Sequence, residues 1–109
     1  MITHYLERHL GKEVQLNKLK NYYKGRHAIL NRTMADPTKP NNKSVNPYPA
    51  YITDMFTGYF MGEPISYTSE ETEFSDKIND LFNYNDEAAE NAELANDASV
   101  FGVAYELKR

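Results

Sequence analysis

Four of the five prolines in this sequence lie close together, at Pro37, Pro40, Pro47 and Pro49. Each proline fixes its own φ angle and removes a backbone donor, so neither a helix nor a central strand can run through this stretch. Residues 31–49 also lack the hydrophobic periodicity of a helix or a strand. The sequence therefore predicts an extended arm over residues 31–49. We expect this arm to make few side-chain contacts within its own chain.

Helical periodicity is present on both sides of the arm. Before the arm, the pattern predicts a helix at 4–10 and a second helix at 12–24 that ends at Gly25. After the arm, seven apolar residues recur at helical spacing and predict an aromatic helix over residues 48–60. A helix over 68–82 follows, opened by a capping box of Thr68 and Glu71, and Asn85 caps the last helix. Alanines 88, 92, 95 and 98 give that last helix a small-residue face.

Two short segments alternate apolar and polar residues as strands do, at 65–67 and 103–107. The predicted fold class is therefore mainly α with a small β component (α+β). It comprises four to five helices, two short strands and one long Pro/Asn-rich arm. We expect the terminal strand to pair with residues 64–67 or to remain an exposed edge.

The chain has 109 residues, which predicts a single domain over residues 1–109. Its predicted core consists of apolar side chains that face inward from the second, the aromatic and the fourth helix. These side chains are Leu19, Tyr23, Ile52, Phe56, Tyr59, Phe60, Phe74, Ile78 and Leu81. Replacing Phe56 with Ala is then expected to cost about 3–5 kcal/mol, which would unfold so small a domain.

The residues that catalysis usually requires are missing or scattered. The chain has no cysteine, and its five glycines form no phosphate-binding loop. The three histidines are not spaced as metal ligands, and the acidic cluster at 70–76 is typical of solvated charge at a helix start. We therefore predict no catalytic, cofactor-binding or metal-binding residues and no enzymatic activity. No apolar run is long enough to span a membrane.

The charge is divided along the chain. Residues 1–43 carry nine Lys and Arg against three acids (+6), and residues 44–109 carry three against thirteen (−10). Such asymmetry is typical of a nucleic-acid-binding face or of complementary faces that meet between copies. The candidate subunit-contact or DNA-facing residues are Lys18, Lys20, Lys24, Arg26, Arg32, Lys39 and Lys43. An alternative function is accordingly a small nucleic-acid-binding domain that uses the basic segment 18–43.

Three segments resemble one known family. NYYKGRHAILNR (21–32) is similar to a segment near the start of tailed-phage portal proteins of the SPP1 type. Residues 39–67 resemble that family's Asn-rich arm, which leads into an aromatic helix ending in a GYxxGxPI turn. NDASVFGVAYEL (96–107) resembles its helix-to-strand junction. The three matches occur in the family's order and cover nearly everything after residue 15.

The resemblance implies a structural protein. Portal proteins of this type form a homo-oligomeric ring, usually a dodecamer, at one vertex of the virion capsid, after assembly in the host cytoplasm. Double-stranded DNA is packaged and ejected through the ring, which also contacts terminase, scaffold or capsid proteins and head–tail connector proteins. A whole portal is several times longer, so the resemblance implies an N-terminal fragment of the wing region without stem, clip or crown.

Overall fold

Five α-helices make up most of residues 2–107, the part of the chain that the computed structural model describes. They are α1 (Ile2–Leu10), α2 (Glu13–Tyr23), α3 (Tyr48–Phe60), α4 (Thr72–Tyr84) and α5 (Glu87–Phe101). A single 3-10 turn, Ala28–Asn31, follows α2. The prediction of a mainly helical chain is confirmed, and α3 has the bounds that its aromatic spacing predicts.

The predicted β component is wrong, because residues 2–107 contain no strand. Residues 65–67 and 103–107 are both irregular. Alternation of apolar and polar residues indicates an extended segment with one apolar and one polar face. A strand also needs a neighbouring strand to form hydrogen bonds with its backbone groups. The side chain of Tyr67 joins the first segment to helices instead. Tyr105 and Leu107 in the second segment are exposed.

The chain forms two compact units, and their boundary lies within α3, between Ile52 and Thr53. The first unit contains α1, α2, the Ala28–Asn31 turn, the proline-rich arm and the start of α3. The second contains the rest of α3, with α4 and α5. The single domain expected over residues 1–109 stays a prediction, which one cooperative unfolding transition would confirm.

In the first unit, the end of α2 brings the arm back toward the helix. Gly25 has a φ of 70°, in the left-handed region that favours glycine. A Cβ at this position would lie 3.7 Å from Cγ1 of Val45, in ordinary van der Waals contact. Val45 is half-buried, so the arm is anchored here by an apolar side chain.

Polar side chains of the arm bind the backbone around the 3-10 turn. Nδ2 of Asn41 donates to the carbonyl oxygen of Arg32 at 3.1 Å, and Nζ of Lys43 donates to that of Leu30 at 2.8 Å. Most side chains of the arm are exposed, as expected for few intrachain contacts, but these two bonds fix it at specific points. An extended backbone leaves its carbonyl oxygens without helical partners, and the Asn and Lys side chains of the arm are long enough to reach them.

A local turn adds order to the same arm. The backbone N–H and the hydroxyl of Thr38 both donate to Oδ1 of Asp36, at 3.0 and 2.7 Å. These two hydrogen bonds favour the ionised carboxylate and lower the pKa of Asp36, the hydroxyl contributing most. This is the Asx-type turn that an Asp followed by Pro favours.

In the second unit, the segment after α3 turns sharply at a glycine. A Cβ at position 62 would collide with the carbonyl oxygen of Gly58, so the backbone comes too close for any other residue. Gly62 is the second glycine of the GYxxGxPI turn and lies about one helical turn after Gly58. The close approach explains why this position requires glycine.

Tyr67 fastens that segment to α4 and α5. Its ring packs on Phe82 of α4 with centroids 4.7 Å apart, and its hydroxyl donates to Oε1 of Glu87 in α5 at 2.8 Å. The hydroxyl of Ser75 in α4 donates to the carbonyl oxygen of Tyr67 at 3.3 Å. The bond to Glu87 raises the pKa of Tyr67, because the carboxylate accepts from the protonated phenol.

Helices α4 and α5 pack together as a hairpin with a two-residue connection. Asp86 in that connection has a φ of 52°, a left-handed conformation that Asp tolerates better than most residues. The predicted caps are wrong: Glu71 and Asp86 hold the N-cap positions, and neither caps through its side chain. Asn85 instead donates its amide back to the carbonyl oxygen of Leu81 at 3.0 Å, because it ends α4.

The predicted core is the largest departure from expectation. No hydrophobic side chain among residues 2–107 is buried. Leu19, Tyr23 and Ile78 are half-buried, whereas Ile52, Phe56, Tyr59, Phe60, Phe74 and Leu81 are exposed. All six are at least half exposed among the described residues, and the core that the sequence builds from them stays a prediction.

Substituting Tyr67 tests its role in the second unit. We expect Tyr67→Phe to lower the melting temperature at neutral pH, because it loses the Glu87 bond, and Tyr67→Ala to lower it further by also losing the ring. Because the folded-state pKa lies above the ordinary 10.0, this stabilisation is complete below pH 10 and is lost as the pH rises through the folded-state pKa. Circular-dichroism melts should therefore show wild type and Tyr67→Phe converging in strongly alkaline buffer. A constant difference at all pH values would contradict this.

The arm can be tested by proteolysis with thermolysin, which does not require lysine. The double variant Asn41→Ala, Lys43→Ala removes both side-chain anchors. If each exposed hydrogen bond contributes about 0.5 kcal/mol, cleavage within residues 33–46 should accelerate about fivefold. Lys39→Ala removes a cation from the same arm without breaking either bond and is the matched control. Equal cleavage rates for the double variant and wild type would show that the arm is not anchored by these bonds.

Candidate subunit interface

Helix α3 turns its small polar side toward the protein. Thr53 is 7% exposed, and Thr57, one turn later, is half-buried. The hydroxyl oxygen of Thr57 is enclosed and makes no hydrogen bond. An enclosed hydroxyl without a hydrogen-bond partner lowers the free energy of unfolding by about 1–3 kcal/mol. This side of α3 is therefore covered even though the Thr57 hydroxyl is left without a hydrogen bond.

Helix α5 supplies small side chains in the same unit. Ala92 and Ala95 are half-buried, and Nδ2 of Asn96 donates to Oδ1 of Asp54 on α3 at 3.4 Å. The small-residue face predicted on α5 is therefore partly covered, although Ala88 and Ala98 are exposed. The bond between Asn96 and Asp54 joins α5 to α3 within this unit.

The aromatic side of α3 consequently faces outward. Its large side chains, from Tyr48 to Phe60, are at least half exposed, and Tyr59 reaches 93%. Phe56 and Phe60 stack on each other with centroids 5.7 Å apart and an interplanar angle of 12°. We call the set Tyr48, Tyr51, Ile52, Met55, Phe56, Tyr59 and Phe60 the aromatic face. A contiguous apolar surface of this kind marks a binding surface in a stable protein.

Helix α1 has a second exposed apolar surface. Ile2, Tyr5, Leu6 and Leu10 recur at helical spacing, and each is more than half exposed. We call these four residues the α1 stripe. No residue of α1 is buried, so the stripe has no cover within the first unit.

Two of the seven candidate basic residues line a cavity of about 420 Å³ beside α2. Lys18 and Arg26 share it with Tyr22 and three asparagines. Nζ of Lys18 lies 6.0 Å from the centroid of the Tyr22 ring, at the outer limit of a cation–π contact. The ring of His27 lies 5.4 Å from that of Tyr22, and its Nε2 lies 3.2 Å from the Tyr22 carbonyl oxygen.

The other five basic residues do not line that cavity. Lys43 binds the Leu30 carbonyl, and Nη2 of Arg32 lies 3.2 Å from the sulfur of Met34. Lys20, Lys24 and Lys39 are exposed on α2, at its C-cap and in the arm. The role of these seven residues in subunit contact or in facing DNA stays a prediction.

Residues 2–107 contain neither a metal-ligand cluster nor a membrane-spanning helix. No three His, Asp or Glu side chains come together as metal ligands would. No helix in this part of the chain combines the length and apolar character needed to cross a bilayer.

The fold and its exposed faces define a helical chain whose largest apolar side chains are turned outward, as in subunits of larger assemblies. A family model described as "Phage portal protein, SPP1 Gp6-like" matches residues 2–108, so the chain belongs to this family. The resemblance drawn from the three sequence segments is thereby confirmed. The family is one of structural proteins that form oligomeric rings in the phage virion. No curated protein and no solved structure matches the chain.

Sequence reasoning missed which side of α3 is outward, and it missed the contacts of Tyr67. One signal was present for α3, because Thr53, Thr57 and Met61 repeat every four residues opposite the rings. A stripe of small residues of this kind favours helix contact on the polar side. The contacts of Tyr67 join residues 8 to 20 positions apart, and no periodic pattern carries them.

The exposure of Phe56 on α3 reduces the loss of unfolding free energy that we expect from Phe56→Ala. Since Phe56 is 50% exposed, its removal should cost about 1 kcal/mol or less instead of the 3–5 expected for a core residue. Thr53→Tyr places a ring on the buried side of the same helix and should cost about 1–3 kcal/mol through overpacking. Urea unfolding of both variants measures this. A larger loss for Phe56→Ala than for Thr53→Tyr would mean that the rings face inward.

Proposed function

We propose that this chain is part of a portal ring subunit at one vertex of the capsid, through which phage DNA is packaged and ejected. The single observation that carries the proposal is the family match over residues 2–108. In this role the chain acts by assembly and performs no catalysis. Terminase, scaffold or capsid proteins and head–tail connectors contact the ring as a whole, and the ring is a dodecamer.

The exposed aromatic face supports this role. A free-standing domain of 109 residues normally stabilises itself with buried apolar side chains, and residues 2–107 contain none that is buried. Ring subunits use different faces for their two neighbours, so each chain must present apolar surface to other chains. The aromatic face of α3 provides such a surface.

The divided charge also favours assembly between copies. The basic residues Lys18, Lys20, Lys24, Arg26, Arg32, Lys39 and Lys43 belong to the first unit, and residues 44–76 contain no Lys or Arg. Complementary charges steer association and fix register between neighbouring subunits. We assign these seven cations to subunit contact or to surfaces that face the DNA.

Immunogold electron microscopy of virions tests the proposal. Antibodies raised against this chain should label a single vertex of particles from the phage whose genome encodes it. Antibodies against the major capsid protein are the control and should label the whole shell. Label on every vertex, or only along the tail, would contradict a portal position.

A second candidate function is direct nucleic-acid binding through residues 18–43. The cavity lined by Lys18, Arg26 and Tyr22 favours it, because cations beside an exposed ring are typical of single-strand binding. The net charge of −4 and the internal bonds of Lys43 and Arg32 weigh against it.

Gel retardation at two salt concentrations separates the two functions. If the chain acts by assembly, it should not retard DNA at physiological salt, and Lys18→Ala with Arg26→Ala should change nothing. Retardation that weakens steeply with salt and is lost in that double variant would favour the nucleic-acid function, because phosphate contacts are salt-dependent. Glu13→Ala on the same helix is the charge-changing control.

A further inference from the structure

We propose that the cavity beside α2 binds a free nucleoside 5′-phosphate, with the phosphate on Lys18 and Arg26 and the base against the ring of Tyr22. The inference goes beyond the portal role and does not rest on it. It starts from a concave surface whose lining residues all belong to the first unit.

One side of α2 lines most of this cavity. The lining residues Val14, Asn17, Lys18, Asn21 and Tyr22 recur at i, i+3, i+4, i+7 and i+8, so they share one side of the helix. A helix side that packs on its own chain carries mainly apolar residues, whereas most of these five are polar or charged. The volume of about 420 Å³ is in the range of small-ligand sites.

The turn after α2 brings Arg26 to the same cavity. The N–H of Arg26 donates to the carbonyl oxygen of Asn21 at 2.8 Å, and the N–H of Gly25 donates to that of Tyr22 at 3.2 Å. With the left-handed conformation of Gly25, these bonds form the Schellman motif that ends many helices. An apolar contact frequently accompanies this motif at the positions that Arg26 and Asn21 occupy. Here both residues are polar and both line the cavity, which favours a polar ligand.

The lining of the cavity is positively charged. Lys18 and Arg26 belong to it, and no Asp or Glu does. Glu13 is the only acid between residues 12 and 35, and it lies outside the lining. Among the described residues of the first unit, no carboxylate is within ion-pair distance of either cation. A phosphate can accept hydrogen bonds from both, and the guanidinium group matches phosphate geometry.

The ring of Tyr22 is held in place and is still accessible. Nε2 of His27 lies 3.2 Å from the Tyr22 carbonyl oxygen, and the two rings lie 5.4 Å apart. Tyr22 is nevertheless 38% exposed. Nζ of Lys18 lies 6.0 Å from the centroid of the Tyr22 ring, so a cation and a stacking surface are adjacent. A nucleotide uses both, because its base stacks on a ring while its phosphate binds a cation.

Three asparagines supply groups for the edge of the base. Asn17, Asn21 and Asn31 line the cavity, and their side chains make no hydrogen bond with the described residues of the first unit. An asparagine amide can donate to N7 of adenine and accept from its N6 amino group at the same time. An adenine nucleotide is therefore a suitable probe.

The distribution of cations favours a single nucleotide over a nucleic-acid strand. Proteins that bind single strands place cations along a groove that follows several phosphates. Only Lys18 and Arg26 of the seven candidate basic residues line this cavity. Lys43 binds the Leu30 carbonyl oxygen, and Arg32 contacts Met34. The cavity therefore offers cations for one phosphate.

Titration of the ¹⁵N-labelled chain with adenosine 5′-monophosphate (AMP) tests the site. Amide resonances of residues 14–31 should shift, and the side-chain amides of Asn17, Asn21 and Asn31 should shift with them. Adenosine and inorganic phosphate each supply one part of the ligand and should bind at least about tenfold more weakly than AMP. No shift at residues 14–31, or equal affinity for AMP and inorganic phosphate, would overturn the inference.

Variants separate the site from a general effect of charge. Lys18→Gln, Arg26→Gln and Tyr22→Leu should each weaken AMP binding at least about tenfold. Lys20→Gln removes the same charge from an exposed position of α2 outside the cavity, and it should bind AMP within about twofold of wild type. These positions are exposed, so circular-dichroism melts should match wild type. Equal losses in Lys18→Gln and Lys20→Gln would overturn the site. If Tyr22→Leu melts early, the shifts measured on wild type decide.

A short oligodeoxyadenylate distinguishes the free nucleotide from a strand. Under the proposal it binds no more tightly than AMP, because the cavity holds one nucleotide. Binding at least about tenfold tighter than AMP, with a steep dependence on salt, would overturn the inference in favour of the nucleic-acid function.

Discussion

The burial of the threonine side of α3 is the constraint that sets the orientation of this helix in the second unit. Thr53 is the only buried residue among those described, and the enclosed Thr57 hydroxyl shows how little space remains beside it. Within the second unit α3 uses its small side, and its ring-bearing side is exposed.

Two local devices keep the other elements of that unit in place. The backbone approach at Gly62 ends α3 and redirects the chain, and Tyr67 then joins the segment to α4 and α5 through its ring, hydroxyl and carbonyl oxygen. These contacts are few, and they use polar atoms where a larger domain would use buried apolar area. Such a unit has modest stability of its own, so covering its exposed faces stabilises it further.

This arrangement agrees with membership of a structural phage family. A subunit that buried all its rings would be stable alone and would have little apolar surface to offer a neighbour. Here the apolar residues are divided between a narrow stripe on α1 and a wide face on α3, while the basic and acidic residues are divided between the two halves of the sequence. Different surfaces on one chain are what head-to-tail assembly requires.

The sequence by itself determined the helices, the arm and the family. Helical spacing predicts α3 at residues 48–60, four prolines predict the arm, and three motifs predict the portal family. Only the tertiary structure decided that Asn41 and Lys43 anchor the arm, that residues 65–67 and 103–107 form no strand, and that Phe56 faces outward. The physical reason is that hydrophobic periodicity shows that a helix has two different sides. It does not show which of them packs against the rest of the chain. That choice involves residues far apart in the sequence, such as Asp54 on α3 and Asn96 on α5.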